Sequence, residues 1–285
     1  MGLIVWGSTA GSILGPNLMT PAVAVGAHLG LSPVGSAFLI SLGGYILAAL
    51  LIEVFLRPDP LAIARLREER AVGYRVAERA RDLRVILKDP RVSVAIGTLM
   101  TSQLVMIGTT STSPVHLHDH GHTVRTIGLA VSLHLAGMYV ASPLSGWLSD
   151  RFGRLPMIGA GGLLLMIAMT VAGLAPGGMS GLVILGLFLN GIGWNLAFVA
   201  GSALLTDALS PTDRASMQGL ADLCMGMMGA IGSAAGGMVL GIWGFATLNA
   251  LGGLLVLAPL TATWLTRGHL DPGDFGASTT RGRAA

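Results

Sequence analysis

The chain has 285 residues, 52% hydrophobic and 11% charged, with a net charge of +3, 42 glycines and one cysteine. Soluble domains carry about 25% charged residues, so this composition excludes a protein clothed in water, and a lone Cys224 excludes an internal disulfide framework. The positive balance does not point to nucleic acid, because the basic residues gather in gaps between apolar runs instead of covering one face.

A spanning helix needs about 20 mostly apolar residues. In chain order the runs of that kind are 3–26, 33–56, 91–113, 125–149, 156–174, 181–206, 216–241 and 244–266. They predict an all-α fold, a polytopic membrane bundle of about eight transmembrane helices whose immediate partner is the lipid bilayer. Pro16 and Pro21 interrupt the first run and His28 lies between it and the second; Gly7, Gly11 and Gly15 form a small-residue ridge in the first, and Pro16 predicts a kink. Glu53 ends the second run at helical spacing from Arg57, an interfacial ion pair. The hydrophilic block 57–90 reads as a linker helix on the membrane surface, with Arg65 and Glu69 paired and Leu61, Leu66, Val72, Val76 and Leu83 in a loose stripe. Asp89–Pro90 then caps the third run, where proline's missing N–H costs nothing. The tail 267–285 reads as disordered. Sixteen of the seventeen Lys and Arg fall on one side if the first helix runs outward, Arg125 alone being left on the other. That bias predicts a multi-pass protein of the plasma membrane with both termini cytoplasmic. Met1 enters an apolar run at once, with no basic leader, so no signal peptide is expected.

Between the fourth and fifth runs lies a compact charged turn, SGWLSDRFGRLP, residues 145–156. Asp150 sits in the last turn of its helix, where the helix dipole disfavours a carboxylate. Arg151, Arg154 or the N-terminus of a neighbouring helix must therefore hold it. Gly146 permits close approach of another helix, and Gly153 a tight reversal.

The string Gly146-x-Leu148-x-Asp150-Arg151-x-Gly153-Arg154 resembles the signature loop of the major facilitator superfamily, which joins the second and third helices of each six-helix half. The resemblance implies that 91–266 is a C-terminal six-helix bundle, that 1–56 holds the last two helices of an N-terminal half, that 57–90 is the cytoplasmic linker and that the chain is N-terminally truncated. Gly2, Gly11, Gly15 and Pro16 are similar in spacing to the fifth-helix motif of the family's exporters, chiefly drug:proton antiporters, although Met19–Thr20 stand where a Gly-Gly pair is usual. It implies a secondary transporter that moves a small-molecule substrate by alternating access, exporting it with protons as the coupling ion. The turn 146–154 would then be the cytoplasmic gate. An incomplete, non-transporting fragment and a metabolite importer are the alternatives.

Polar side chains inside apolar runs are the remaining candidates, because lipid cannot satisfy them. Asp222, with Gln218 one turn earlier on the same face, reads either as a proton carrier or as a structural acceptor. Asn190 and Asn195 are five residues apart and cannot share one narrow stripe, so one lines a cavity while the other bridges helices. Gln103 and His134 fall near mid-span; His134 reads as a satisfied core histidine or as a proton relay. Trp194 packs, or stacks on a flat ligand. In HLHDHGH, residues 116–122, His116, His118, His120 and His122 would share one side of an extended segment and, with Asp119, could ligate zinc or copper, though no cysteine joins them. No nucleophile–base–orienter set, phosphate-binding glycine loop or zinc-protease spacing occurs, so neither an enzyme nor a cofactor is indicated.

Overall fold

In hydrocarbon a backbone can satisfy its own polar groups only as a helix or a closed barrel, and the apolar runs of this chain take the first course. The structure, a computed structural model, describes residues 2–59, 63, 86–175 and 179–266. Its helices are α1 (Gly2–Asn17), α2 (Met19–His28), α3 (Pro33–Phe55), α4 (Pro90–Asp119), α5 (Val124–Tyr139), α6 (Ser142–Phe152), α7 (Arg154–Gly173), α8 (Ser180–Ala208) and α9 (Pro211–Thr266). No strand occurs among the described residues. The linker helix expected within 57–90, including Arg65 and Glu69, lies largely outside the described residues, as does the tail.

Prolines set the breaks. The first run divides at Leu18 and passes Pro16 as helix, because Pro21 has no N–H to give Asn17, where α1 ends. The run 125–149 divides at Val140–Ala141 for the same reason: Pro143 cannot donate to the carbonyl of Tyr139. Prolines at the first helical position do no such harm. Ser32 accepts the Gly35 N–H at 3.1 Å ahead of α3, and Asp89 accepts the Arg91 N–H at 2.8 Å ahead of α4.

Among the described residues five segments are long and apolar enough to cross a membrane, the last being the 53 residues Asp213–Leu265. A straight helix of that length would reach about 80 Å, against a hydrocarbon core of about 30 Å. The segment doubles back at Gly244, whose φ of 82° and ψ of 172° are non-helical. The contacts show the reversal: Gly236 lies against Gly108 and Phe245 against His116, whereas Asn249 is back beside Thr109 and Gly252 beside Val105. The arms, 211–243 and 245–266, correspond to the last two predicted runs.

The chain forms two compact units, Met1–Thr9 with Arg81–Ala285, and Ala10–Ala80. In the second, α2 and α3 pack together with Gly26 against Ser36, and Glu53 pairs with Arg57 in the open. In the first, α8 is the central helix, packed on α4, α5, α6 and α7, and α9 lies against α4 and α7. Leu99, Leu165, Met169, Leu187 and Met217 are fully buried between them. Lipid tails are as apolar as leucine, so close shape complementarity must hold such helices together. Gly191 supplies it between α8 and α5: a Cβ there would fall on the carbonyl oxygen of His134.

Candidate functional site

The charged turn is built by one backbone conformation. Gly153, at φ 94° and ψ 158°, ends α6 and starts α7 without an intervening loop. That conformation is open to glycine and strained for other residues. It swings Arg154 back over the last turn of α6. The guanidinium then donates to Asp150, to Ser149 Oγ at 3.3 Å and, through Nε at 3.0 Å, to Asp207 Oδ2 in the last turn of α8. Asp150 and Asp207 both sit at helix C-termini, where the dipole disfavours a carboxylate, and one guanidinium answers both. Arg154 and Asp207 are 21% and 44% exposed while Asp150 is 70% exposed, so the contact between α7 and α8 is the more sheltered. Arg151 does not hold Asp150; it lies 5.7 Å from the centroid of the Trp147 ring.

Gly146 serves the close approach expected of it, and its partner is Gly2. A Cβ on Gly2 would lie 3.3 Å from the Gly146 Cα and on top of the Ser142 carbonyl. Both residues belong to the first unit. A Cβ at Gly7 or Gly11 would meet nothing within 4 Å, and the side-chain surroundings of Gly15 and Pro16 lie outside the description.

Above the turn, Asn195 holds the broken α5–α6 segment to α8. Its amide nitrogen donates to the Met138 carbonyl and to Ser142 Oγ, both at 2.6 Å, and its oxygen accepts from Ser145 Oγ. Ser142 Oγ donates to the same carbonyl at 3.4 Å, so Asn195, Ser142 and Met138 close one ring of hydrogen bonds across the break. Asn190 is equally buried, but neither amide atom has a hydrogen-bond partner among the described residues. Of the two asparagines, Asn195 is thus the bridge.

A polar and aromatic group lies between α4, α5 and α8. Trp194 donates its indole N–H to Gln103 Oε1 at 2.9 Å and stacks on Phe198 at 4.8 Å, with Tyr139 edge-on at 6.4 Å. Gln103 faces Gly229 of α9, and Asp222 lies seven residues earlier on the same helical face. Gln218 donates to Asp222 at 3.1 Å, and Asp222 is exposed on the described fold. His134 is separate from this group. Its Nδ1 lies 2.9 Å from the Leu187 carbonyl, which can only accept, so that nitrogen carries the proton and Nε2 accepts from Thr110 Oγ1 at 3.3 Å. Both ring nitrogens are engaged in tying α5 to α4 and α8.

The histidine segment is not extended, and this corrects the expectation. Helix α4 runs through Pro114 to Asp119, so alternate residues point in different directions and the four imidazoles do not share a side. Instead His116 and His120, one turn apart, approach to 4.3 Å between ring centroids. Among the described residues no three of His, Cys, Asp and Glu converge as a metal set.

Apolar helices long enough to span hydrocarbon, packed into one bundle, define a polytopic membrane protein. Residues 106–282 match the Major Facilitator Superfamily, and the chain belongs to that family as a multi-pass membrane protein. It is 35% identical over 258 residues to the Uncharacterized MFS-type transporter YddS of Bacillus subtilis, covering 88% of this chain and 58% of the relative. Over 178 residues it is 30% identical to the Riboflavin transporter RfnT of Brucella anthropi, 62% of this chain and 44% of that protein. Over 92 residues it is 37% identical to the Multidrug resistance protein MdtL of Escherichia coli, 32% and 23% of the two chains. The chain spans about three fifths of the length of the first of these relatives.

Sequence reasoning missed Asp207. The signal that could have found it is the one that flagged Asp150: an acidic residue in the last turn of an apolar helix, on the unfavourable end of the dipole.

Proposed function

We propose that the chain is the larger part of a secondary transporter of the plasma membrane, which moves a small organic solute by alternating access and exports it in exchange for protons. In this reading 91–266 is the C-terminal half, 1–56 carries two helices of the other half, 57–90 is the cytoplasmic linker and 267–285 a cytoplasmic tail. The observation that carries it is Arg154 shared between Asp150 and Asp207. A guanidinium shared in this way gives up its contact with Asp207 when α7 and α8 part, so the cluster favours one arrangement of those helices. The printed names of RfnT and MdtL, a riboflavin transporter and a multidrug resistance protein, favour a small organic cargo and, in the second case, export. Gln103, part-exposed beside the Trp194 indole, is the candidate for an amide contact to such a cargo, with the fully buried Asn190 behind it, and the Gln218–Asp222 pair is the candidate for proton coupling. The placing of sixteen basic residues on one side supports cytoplasmic termini.

The test is Asp150→Asn in the full-length protein. Transport is expected to be lost while membrane insertion and protein amount stay unchanged. Transport at the normal rate in that variant would reject the gate.

A further inference from the structure

We propose that the end of the first unit opposite the charged turn carries a binding site for a small organic cation with an aromatic group, set between α4 and the reversal at Gly244. A cavity of about 740 Å³ lies there, walled by the last two turns of α4, the end of α7 and residues 233–246 of α9. That volume is in the range small-molecule sites occupy.

Its chemistry selects the occupant. The rings of His116 and Phe245 stack at 4.1 Å and 9° in one wall, and Leu240 extends the apolar surface. An aromatic face attracts a cation, most strongly when water is excluded. Asp119 and His120 line the same space. Nδ1 of His120 lies 2.7 Å from the His116 carbonyl, which can only accept, so the neutral ring offers its Nε2 lone pair. A carboxylate and an imidazole lone pair are acceptors, and no Lys or Arg is among the described residues that line the space. His116 Nε2 is buried without a hydrogen-bond partner among the described residues, a polar atom in the wall that the fold does not answer. Since no three metal-ligating side chains converge among the described residues, the site suits an organic cation better than a metal ion.

The glycines of α9 keep the space open. Gly237, Gly241 and Gly244 all line the cavity, and a Cβ built on any of them would meet nothing within 4 Å. Helix packing therefore does not require glycine at Gly237 or Gly241, where a side chain would fill the cavity.

The test uses the purified full chain in detergent with radiolabelled benzyltrimethylammonium in equilibrium dialysis. It needs no transport, so its outcome stands apart from that of the reading above. Saturable binding is expected in the wild type and in Gln103→Ala. Binding should become about tenfold weaker in Asp119→Asn, and be lost in Gly241→Leu with the unfolding temperature maintained. The uncharged isostere neopentylbenzene should not compete. No saturable binding at millimolar probe, wild-type affinity in both Asp119→Asn and Gly241→Leu, loss of binding in folded Gln103→Ala, or equal competition by neopentylbenzene would each overturn the site. The competition experiment uses only the wild type and decides the matter even where a variant fails to fold.

Discussion

The two ends of the first unit treat polar groups in opposite ways. At the charged turn two carboxylates on unfavourable helix ends share one guanidinium, and the helices are drawn together around it. At the far end α4 and the Gly244 reversal stand apart around a cavity, with a ring nitrogen in its wall that has no partner among the described residues. The first end is complete in itself. The second is shaped to receive something. Asn195 stands between them and keeps the segment that carries the charged turn attached to the central helix.

The comparison is broken most severely at Asn195. Asn195→Ala leaves the buried Ser145 hydroxyl without its acceptor, at about 1–3 kcal/mol for an unsatisfied buried group, and reduces the Met138 carbonyl to its long bond from Ser142 Oγ. Reversible unfolding in detergent is expected to show a loss of about 2–3 kcal/mol, while Asn190→Ala, which removes an amide with no partner among the described residues, changes stability by less than about 1 kcal/mol. Equal losses at the two positions would remove Asn195 from its bridging role.

Gly244→Ala should come next. A positive φ with an extended ψ is essentially a glycine conformation and costs a residue with a Cβ about 1–3 kcal/mol, and the same unfolding experiment should register that loss. A stability matching the wild type would mean that the reversal does not depend on glycine there. The smallest effect belongs to the charged turn, because ion pairs with exposed partners contribute about 0.2–1 kcal/mol. A double-mutant cycle with Arg154→Ala is expected to give Asp207 a larger coupling than Asp150, since the contact between helices is the more sheltered. The reverse order would make the turn a local i,i+4 pair with no hold on α8.

Much of this was legible in the residues. Hydropathy located the helices because lipid leaves the backbone no alternative, and the string from Gly146 to Arg154 located the turn because only glycine tolerates the φ of Gly153. The breaks at Leu18 and Val140–Ala141 were written in Pro21 and Pro143, four residues downstream of the carbonyls they fail to bond. What could not be read was partnership over long separations. Arg154 and Asp207 are 53 residues apart, as are His134 and Leu187, and 91 separate Gln103 from Trp194. Period alone also misjudged residues 116–122, where alternation suggested an extended strip and the helix simply continued past Pro114.

The turn at Gly244 has a consequence for how the last two arms behave. A connection of one residue contains no slack, so the arms cannot slide past each other or part sideways at that end. The two helix ends must move together at that joint, and an epitope or protease site inserted there would have to prise them apart.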